Sequence, residues 1–295
     1  MRRQPQIALL PDRRLHLQDG PIDLIIGADG FEADIRAAYR AAAERFAGLL
    51  DELCAELPEL RRAADPNRCT LNGVIARRMH AAVAPFATKI FITPMAAVAG
   101  AVAEEILEAM LGAAKLVRVY VNNGGDIALH LQDVATFSVG LMDRPDRAGV
   151  MRRMTLRADD AIGGVATSGR HGRSFSLGIA DAVTVLAGTA AQADAAATVV
   201  ANAVDLPDHP AVIRRPACEL QPDSDLGHRL VTCDVGALCD AEVAQALAAG
   251  EQCAQALLSD GLIEGAVLQL NGSVRVVGAR HIEVVRPPQL RAAAA

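Results

Sequence analysis

Residues 122–126 read NNGGD and stand between two apolar, β-branched runs. Asparagine and glycine tolerate positive φ, so the stretch has the composition of a hairpin turn. The same residues leave backbone uncovered at Gly124 and Gly125, where a phosphate or nucleotide could lie, with the Asp126 carboxylate beside it. Taken alone, the turn is favoured as a plain hairpin, and a binding role stays open.

A second stretch, residues 163–172 (GGVATSGRHG), contains four glycines around Thr167, Ser168 and His171. Uncovered backbone N–H groups together with hydroxyls are suited to wrapping an anion. The alternative is a flexible loop between strands. The density of small polar residues next to apolar strands favours a site.

The third feature is a carboxylate and a hydroxyl four residues apart, Asp194 and Thr198, in the segment ADAAAT. On a helix this spacing puts both side chains on one face. An aspartate among alanines needs a cation, a donor or solvent. Carboxylate and hydroxyl oxygens are ligands that suit Mg²⁺, which completes its shell with water and phosphate. The alternative is that Asp194 faces solvent and Thr198 packs in the core.

Strands and long helices must position these residues. The hydrophobic periodicity and the turn residues predict an irregular start and then alternating elements. The predicted helices span residues 31–57, a segment beginning near 94, 190–203 (capped by Thr189 and Gln192) and a segment from an Asp240 N-cap to just before Gly261. The predicted strands span residues 21–27, 117–121, 126–131, 136–142, 154–158, 174–180, 182–187, 229–234, 265–270 and 274–277. Hairpins backed by helices on one face indicate an α+β fold with antiparallel sheets.

Composition narrows the classes of function. The net charge of −6 over 295 residues argues against a nucleic-acid surface, which needs concentrated Lys and Arg. None of the six cysteines forms a CxxC pair, so we expect neither a zinc site nor a disulfide framework. Several cysteines lie in apolar patterns and are expected to be buried. The unpaired thiols predict a reducing compartment.

The apolar runs are too short or too interrupted to engage a membrane. A run of only four apolar residues, 7–10, stands before Pro11, too few for a signal-peptide core. Residues 80–103 are interrupted by Pro85, Lys89 and Pro94, so no membrane span is expected. The predicted location is the cytoplasm.

The order of the motifs resembles the ApbE family of FAD:protein FMN transferases. The resemblance rests on NNGGD, then VATSG at 165–169, then DAVTVLA at 181–187 leading into ADAAAT, with AVAGAVAE at 97–104 upstream. It covers about residues 94–204. It implies a T-fold-like (ApbE-like) α+β architecture, with residues 1–295 as a single domain of two intertwined α+β halves and 286–295 as a flexible tail.

The resemblance also implies a ligand site for FAD or FMN with Mg²⁺. Asp194 and Thr198 would be metal ligands, helped by a backbone carbonyl near Ala97 or Val98. The residues implied at the border of the flavin nucleotide are Gly100, Asn122, Gly124, Gly125, Asp126, Thr167, Ser168, Gly169 and Phe175. The implied partners are a small-molecule nucleotide and an unidentified flavin-acceptor protein. A homo-oligomer is left open.

The chain departs from the family pattern in two places. A lysine that the family carries in its AKG segment is Ala99 here, and the family's His followed by DP-TG is absent between TSG and VTV. His171 and Asp181 are the candidates to replace that catalytic element. The chain therefore resembles a short cytoplasmic branch of the superfamily to which no activity is assigned.

Four functions stay open from the sequence. They are Mg²⁺-dependent FMN transfer or FAD pyrophosphate cleavage, flavin-nucleotide binding without catalysis, action on a pterin-like or purine-like ring, and a purely structural role. Flavin-nucleotide binding ranks first.

Overall fold

A nine-stranded antiparallel sheet forms the centre of the computed structural model, which describes residues 5–141, 152–278 and 282–283. Its strands, in spatial order, are β1 (Gln6–Leu9), β2 (Leu15–Asp19), β3 (Ile22–Asp29), β4 (Arg118–Asn123), β5 (Asp126–Leu131), β8 (Gly164–Ser168), β9 (Ala182–Ala187), β12 (Gly265–Leu270) and β13 (Ser273–Val277). Two smaller sheets join β14 (Ile282–Glu283), β7 (Arg152–Arg157) and β6 (Thr136–Leu141), and β10 (Val212–Pro216) with β11 (Leu230–Val235).

Helices cover one face of the large sheet. Within the described residues they are α1 (Glu32–Phe46), α2 (Leu49–Ala55), α3 (Leu57–Leu60), α4 (Val74–Val83), α5 (Val98–Ala113), α6 (Ala190–Ala203), α7 (Ala217–Leu220) and α8 (Asp240–Ser259). A 3₁₀ turn, Pro94–Ala97, leads into α5. No helix in the described ranges has the length and apolarity needed to cross a bilayer.

The alternation of side chains divides the large sheet into two packed faces. On one, which we call the helix face, residues such as Val121, Val183 and Leu268 share the main core with the helices. On the other, the small-sheet face, Leu129, Val165, Leu186 and Val267 pack with Met154 and Leu156 of β7. Successive residues of one strand therefore pack in different hydrophobic cores.

The alanine-rich composition of residues 190–203 favours helix α6. Alanine has the highest helix propensity, and the Thr189 hydroxyl accepts the N–H of Gln192 at 3.3 Å to cap the first turn. Its small side chains let α5 approach closely. At Gly100 of α5, a Cβ would overlap the carbonyl of Ala190. The two helix N-termini therefore meet directly above the sheet.

The α+β class with antiparallel sheets backed by helices is confirmed, as are β5, β9 and β12 at their predicted bounds. The 31–57 helix is wrong: it ends at Phe46 because Gly48 adopts a left-handed conformation, with φ 83°. Phe31, the first residue of that predicted helix, is 82% exposed.

The predicted strand 174–180 is also wrong. Its backbone hydrogen bonds are divided between the end of α6 and β11. Leu177 N–H donates to Asn202 Oδ1 at 2.9 Å and Ile179 N–H to the Val204 carbonyl at 2.8 Å, whereas the Ser176 carbonyl accepts from Thr232 N–H at 2.8 Å. Residues 164–168, read alternatively as a flexible loop, form β8.

Other elements and caps were missed or misplaced. The sequence reading missed β1, β2, α4 and β10. The α8 N-cap is Cys239 rather than Asp240. The expected burial of cysteines is wrong, since Cys54, Cys69, Cys233 and Cys239 are exposed and Cys218 and Cys253 half-buried. The predicted tail at 286–295 lies outside the described residues, as does Met142.

Candidate functional site

The predicted site residues gather at one end of the large sheet, which we call the turn end. Strands β4, β8 and β12 finish there, and β5 and β9 begin there, because neighbouring strands run antiparallel. The sequence places NNGGD, TSG and the start of VTV at these strand ends. The fold therefore brings together motifs that lie up to 60 residues apart.

The NNGGD stretch is a tight hairpin turn, as its composition predicts. Asn123 pairs with Asp126, and Asn122 Oδ1 accepts the N–H of Gly125 at 2.8 Å. Gly124 and Gly125 have φ of 65° and 117°, in the region that favours glycine. A Cβ at Gly125 would meet no atom within 4 Å, so the backbone there is uncovered.

Two aspartates meet on the helix face beside this turn. Asp126 starts β5, and its Oδ1 accepts the N–H of Thr167 at 3.1 Å. Asp194 lies in the second turn of α6, and its Oδ2 accepts the N–H of Gly100 at 3.0 Å. The positive end of α5 thus stabilises the Asp194 carboxylate. Asn123 holds the same helix start, since its Nδ2 donates to the Ala99 carbonyl at 3.1 Å.

The charge of this carboxylate pair is not balanced by the protein. Burial raises the pKa of Asp126 to about 7, against the Thr167 N–H and the positive charge of Arg173. Burial first, and then the Asp126 charge, raise the pKa of Asp194 well above its ordinary value, although the N–H groups of Gly100 and Ala99 oppose the rise. Within the described ranges neither carboxylate has an ion-pair partner.

Thr198 is the third oxygen donor predicted here. It lies one turn after Asp194 on α6 and is half-buried, as is Asp194. Its hydroxyl has no hydrogen bond to another described residue. Across the described part of the chain, no group of three or more His, Cys, Asp or Glu side chains is arranged to hold a metal ion. A cation here would therefore rest on two carboxylates and a hydroxyl, with its remaining positions filled from outside the protein.

A third aspartate at the turn end is fully neutralised. Asp181 Oδ1 accepts from Arg170 Nε at 2.9 Å and Nη2 at 2.7 Å, and from His171 Nε2 at 3.2 Å. Its Oδ2 accepts the N–H of Asn271 at 2.6 Å. Gly169 is required beside it, because a Cβ would lie 2.6 Å from the Asp181 carbonyl. The two residues predicted as catalytic candidates thus contact each other, in a cluster separate from the carboxylate pair.

The remaining predicted residues divide between the faces of the sheet. Thr167 lies on the small-sheet face, where its hydroxyl is 2.8 Å from that of Thr184, and Asn122 shares that face. Ser168 lies on the helix face at the end of β8. Phe175 is half-buried in the segment after β8.

One protein-family model matches most of the chain. The family described as AbpE bacteria matches residues 7–276. The chain belongs to this family. The UPF0280 protein of Methanopyrus kandleri is 35% identical over 195 residues, which are 65% of this chain and 75% of that protein. The UPF0280 protein of Methanothermobacter thermautotrophicus is 33% identical over 151 residues, 51% of this chain and 56% of that protein.

A solved structure aligns more broadly but more loosely. This structure is the apo form of the Pseudomonas stutzeri flavinyl transferase ApbE. The alignment with it covers 93% of this chain and 95% of that chain, with 11% identity and a TM-score of 0.38. The family assignment rests on the family model and the UPF0280 relatives. With it, the resemblance to ApbE-like proteins inferred from the motifs is confirmed.

The sequence patterns do not indicate several residues at the turn end. Asn123 lies within the predicted turn, but its hydrogen bond to the Ala99 carbonyl depends on where α5 packs. Arg170 and Arg173 lie in the glycine-rich loop, where no local pattern indicates their contacts. Thr184 is the central residue of VTV, and its position opposite Thr167 follows once β8 and β9 are paired. Gln269 lies in an apolar strand, and its isolation there was the available signal.

Proposed function

We propose that this chain binds a flavin nucleotide, FAD or FMN, together with Mg²⁺ at the carboxylate pair. The single observation that carries the proposal is that the charges of Asp126 and Asp194 interact beside the uncovered Gly125, while neither carboxylate has an ion-pair partner among the described residues. A protein gains nothing in stability from two adjacent unpaired carboxylates, whose repulsion and burial both disfavour the charged forms. Such imbalance is typical of functional sites.

The donor set fits Mg²⁺. Asp194, Asp126 and Thr198 present hard oxygen atoms, and the chain leaves coordination positions for water and phosphate. Bound there, Mg²⁺ would supply neutralisation of the phosphate charge. The hydrogen bonds from Gly100 to Asp194 and from Thr167 to Asp126 fix the two carboxylates in place. The site is therefore preorganised by backbone groups.

The nucleotide would lie against the bare turn. The backbone of Gly125 is uncovered, whereas the guanidinium of Arg173, the basic residue beside the turn, lies against Gly124. Arg173 Nη1 donates to the Pro21 carbonyl at 3.2 Å, which holds its guanidinium next to Gly124. With Ala99 in place of the family's lysine, Arg173 is the proposed phosphate contact. The chain's acidity and its six unpaired cysteines support a small-molecule ligand and a cytoplasmic location.

Binding is tested by calorimetric titration of FAD with and without Mg²⁺. We expect Mg²⁺ to tighten FAD binding by at least about tenfold, and Asp194→Asn to abolish that gain. Asp260→Asn, at an exposed position beyond α8, is the matched control and should retain it. FAD binding that is indifferent to Mg²⁺ in the wild type would refute the cation site. Stabilisation by a pterin but by no flavin would refute the ligand class.

A second candidate function is FMN transfer or FAD pyrophosphate cleavage, favoured by the position of the carboxylate pair beside the proposed phosphate contact. In that reaction an acceptor hydroxyl oxygen, from water or a protein side chain, bonds to the phosphorus of the FMN half. The bond from that phosphorus to the bridging oxygen breaks, AMP leaves, and the hydroxyl proton passes to solvent. Release of AMP from FAD and Mg²⁺ measures the reaction. FAD binding without AMP release would leave the chain a flavin-binding protein.

A further inference from the structure

The small-sheet face of the turn end carries a row of polar and small side chains that the carboxylate pair does not use. Thr167 stands directly opposite Thr184, and Thr184 opposite Val267. One row nearer the strand ends, Ala182 stands opposite Gln269. We call Thr167, Thr184, Ala182 and Gln269 the threonine–glutamine strip. It adjoins the apolar cluster of Val165, Leu186 and Val267 on the same face.

Gln269 is the distinctive member of this strip. It is 3% exposed, and its Oε1 atom has no hydrogen-bond partner among the described residues. Val267, two residues earlier on the strand, and Val274, opposite Gln269 on β13, make its surroundings apolar. A buried acceptor without a donor is rare in folded proteins and destabilising. The strand alternation aims this side chain into the strip, since Leu268 and Leu270 belong to the opposite core. Gln269 Oε1 can therefore accept a hydrogen bond that no described residue supplies.

We propose that the threonine–glutamine strip binds the pyrimidine edge of a flavin ring. This edge carries an N–H between two carbonyl groups. The N–H would donate to Gln269 Oε1, and a ring carbonyl would accept from the hydroxyl pair Thr167–Thr184, whose two hydroxyls share one hydrogen bond and so leave one O–H free to donate. Ala182, opposite Gln269, contributes only a methyl group to this row. The inference rests on the proposed function and names the subsite for its ring.

The position of the strip explains why the turn is bare. The carboxylate pair lies on the helix face and the strip on the small-sheet face of the same sheet end. A flavin nucleotide held at both must pass from one face to the other around the strand ends. Gly124 and Gly125 lie at that edge, and Gly125 has open space where a side chain would be. The flexible chain between ring and phosphate would cross there.

Riboflavin tests the ring subsite separately from the phosphate site, because it has the ring without phosphate and needs no cation. Binding is measured by quenching of riboflavin fluorescence in EDTA, beside 3-methylriboflavin, in which a methyl group replaces the donated hydrogen. We expect the wild-type chain to bind riboflavin at least about tenfold more tightly than the methylated ring. Gln269→Leu should bind both equally, whereas Gln255→Leu on the exposed surface of α8 should discriminate like the wild type.

The folding of the variant is itself informative. Gln269→Leu replaces an unpartnered acceptor by an apolar group of similar size, so its melting temperature should equal or exceed that of the wild type. Retained discrimination by a folded Gln269→Leu chain would overturn the inference. If that variant fails to fold, the wild type decides alone: equal binding of the two rings overturns the inference, and preference for riboflavin supports it. Mg²⁺-dependent FAD binding without riboflavin binding would overturn the ring subsite while leaving the proposed function intact.

Discussion

Two groups of aspartates at the same end of one sheet are treated in opposite ways. Asp181 is surrounded by donors: the guanidinium of Arg170, the imidazole of His171 and the N–H of Asn271. The pair Asp126 and Asp194 receives only backbone N–H groups and has no ion-pair partner among the described residues. The first arrangement is completed within the chain, whereas the second leaves two carboxylates that protons neutralise or, as we propose, a cation binds.

This difference distinguishes a carboxylate that stabilises the fold, Asp181, from the two carboxylates that we propose bind a cation, Asp126 and Asp194. A carboxylate whose lone pairs are occupied by an arginine and a backbone amide ties loops together, here the segment after β8 to the β12–β13 turn. A carboxylate that faces another carboxylate weakens the folded state unless something binds. Substitutions in the two groups should therefore have different effects, and experiments can test this difference.

The largest expected effect belongs to Asp181. Asp181→Ala leaves the half-buried Arg170 and the Asn271 N–H without their acceptor, and breaking such a pair costs about 3 kcal/mol of unfolding free energy. Urea denaturation measures the loss, with Asp260→Ala as an exposed control. A loss below about 1 kcal/mol would show that Asp181 does not hold these loops together.

Asp194→Asn, unlike Asp181→Ala, should not lower the unfolding free energy. The amide oxygen still accepts from Gly100, and the repulsion from Asp126 is removed, so the cation-free chain should be as stable as the wild type or more stable. Mg²⁺ affinity should fall by about 10–100-fold, measured by calorimetry. A destabilised variant with unchanged Mg²⁺ affinity would place Asp194 with Asp181 as a structural residue.

The pH dependence of stability should reveal the carboxylate pair. The pKa of Asp126, raised to about 7 in the folded chain, lies above its value of about 3.9 in the unfolded chain. The contribution of Asp126 is therefore fully present below about pH 4 and is lost as the pH rises through about 7. Between pH 6 and pH 8 the cation-free chain should lose about 1.4 kcal/mol of unfolding free energy.

Saturating Mg²⁺ is the control for this profile. A cation bound at the carboxylates should flatten the loss between pH 6 and pH 8, because it stabilises their charged forms. Urea midpoints across this range measure both curves. A cation-free chain that is more stable at pH 8 than at pH 6 would contradict the assignment.

The smallest expected effect concerns Arg173, the one weak counter-charge beside the pair. Arg173→Gln removes a positive charge that lowers the pKa of Asp126, so the midpoint of the stability profile should move to higher pH. The guanidinium is exposed, and solvent screening should keep the movement below about one pH unit. Arg62→Gln, at an exposed position two residues after α3, is the control. A midpoint that moves to lower pH would contradict the placement of Arg173.

Much of this site was predictable from local patterns. The strands around NNGGD and VTV follow from alternating apolar residues, and the Asp194–Thr198 pair follows from helical spacing and the Thr189 cap. The pairing of Asp194 with Asp126 was not predictable, because it depends on how α6 crosses β5. Gly100 permits that crossing through contact with Ala190, a long-range packing detail that no local pattern reports.

The two mistaken elements have different causes. The segment 174–180 has strand-like residues, but its backbone bonds to Asn202 and Val204 at the end of α6 and to Thr232 of β11. The helix at 31–57 has continuous helical periodicity, yet the left-handed Gly48 stops it. Tertiary contacts decide the first case, whereas glycine just after a helix is a local signal that decides the second.

The most direct test of the central claim is a crystal of the chain grown with FAD and Mn²⁺, used as a stand-in for Mg²⁺ with a measurable anomalous signal. Anomalous difference density should show one peak within coordinating distance of carboxylate oxygens of Asp126 and Asp194, with flavin-nucleotide phosphate on its far side. Clear FAD density with no anomalous peak at this pair, or a peak at Asp181 instead, would contradict the account.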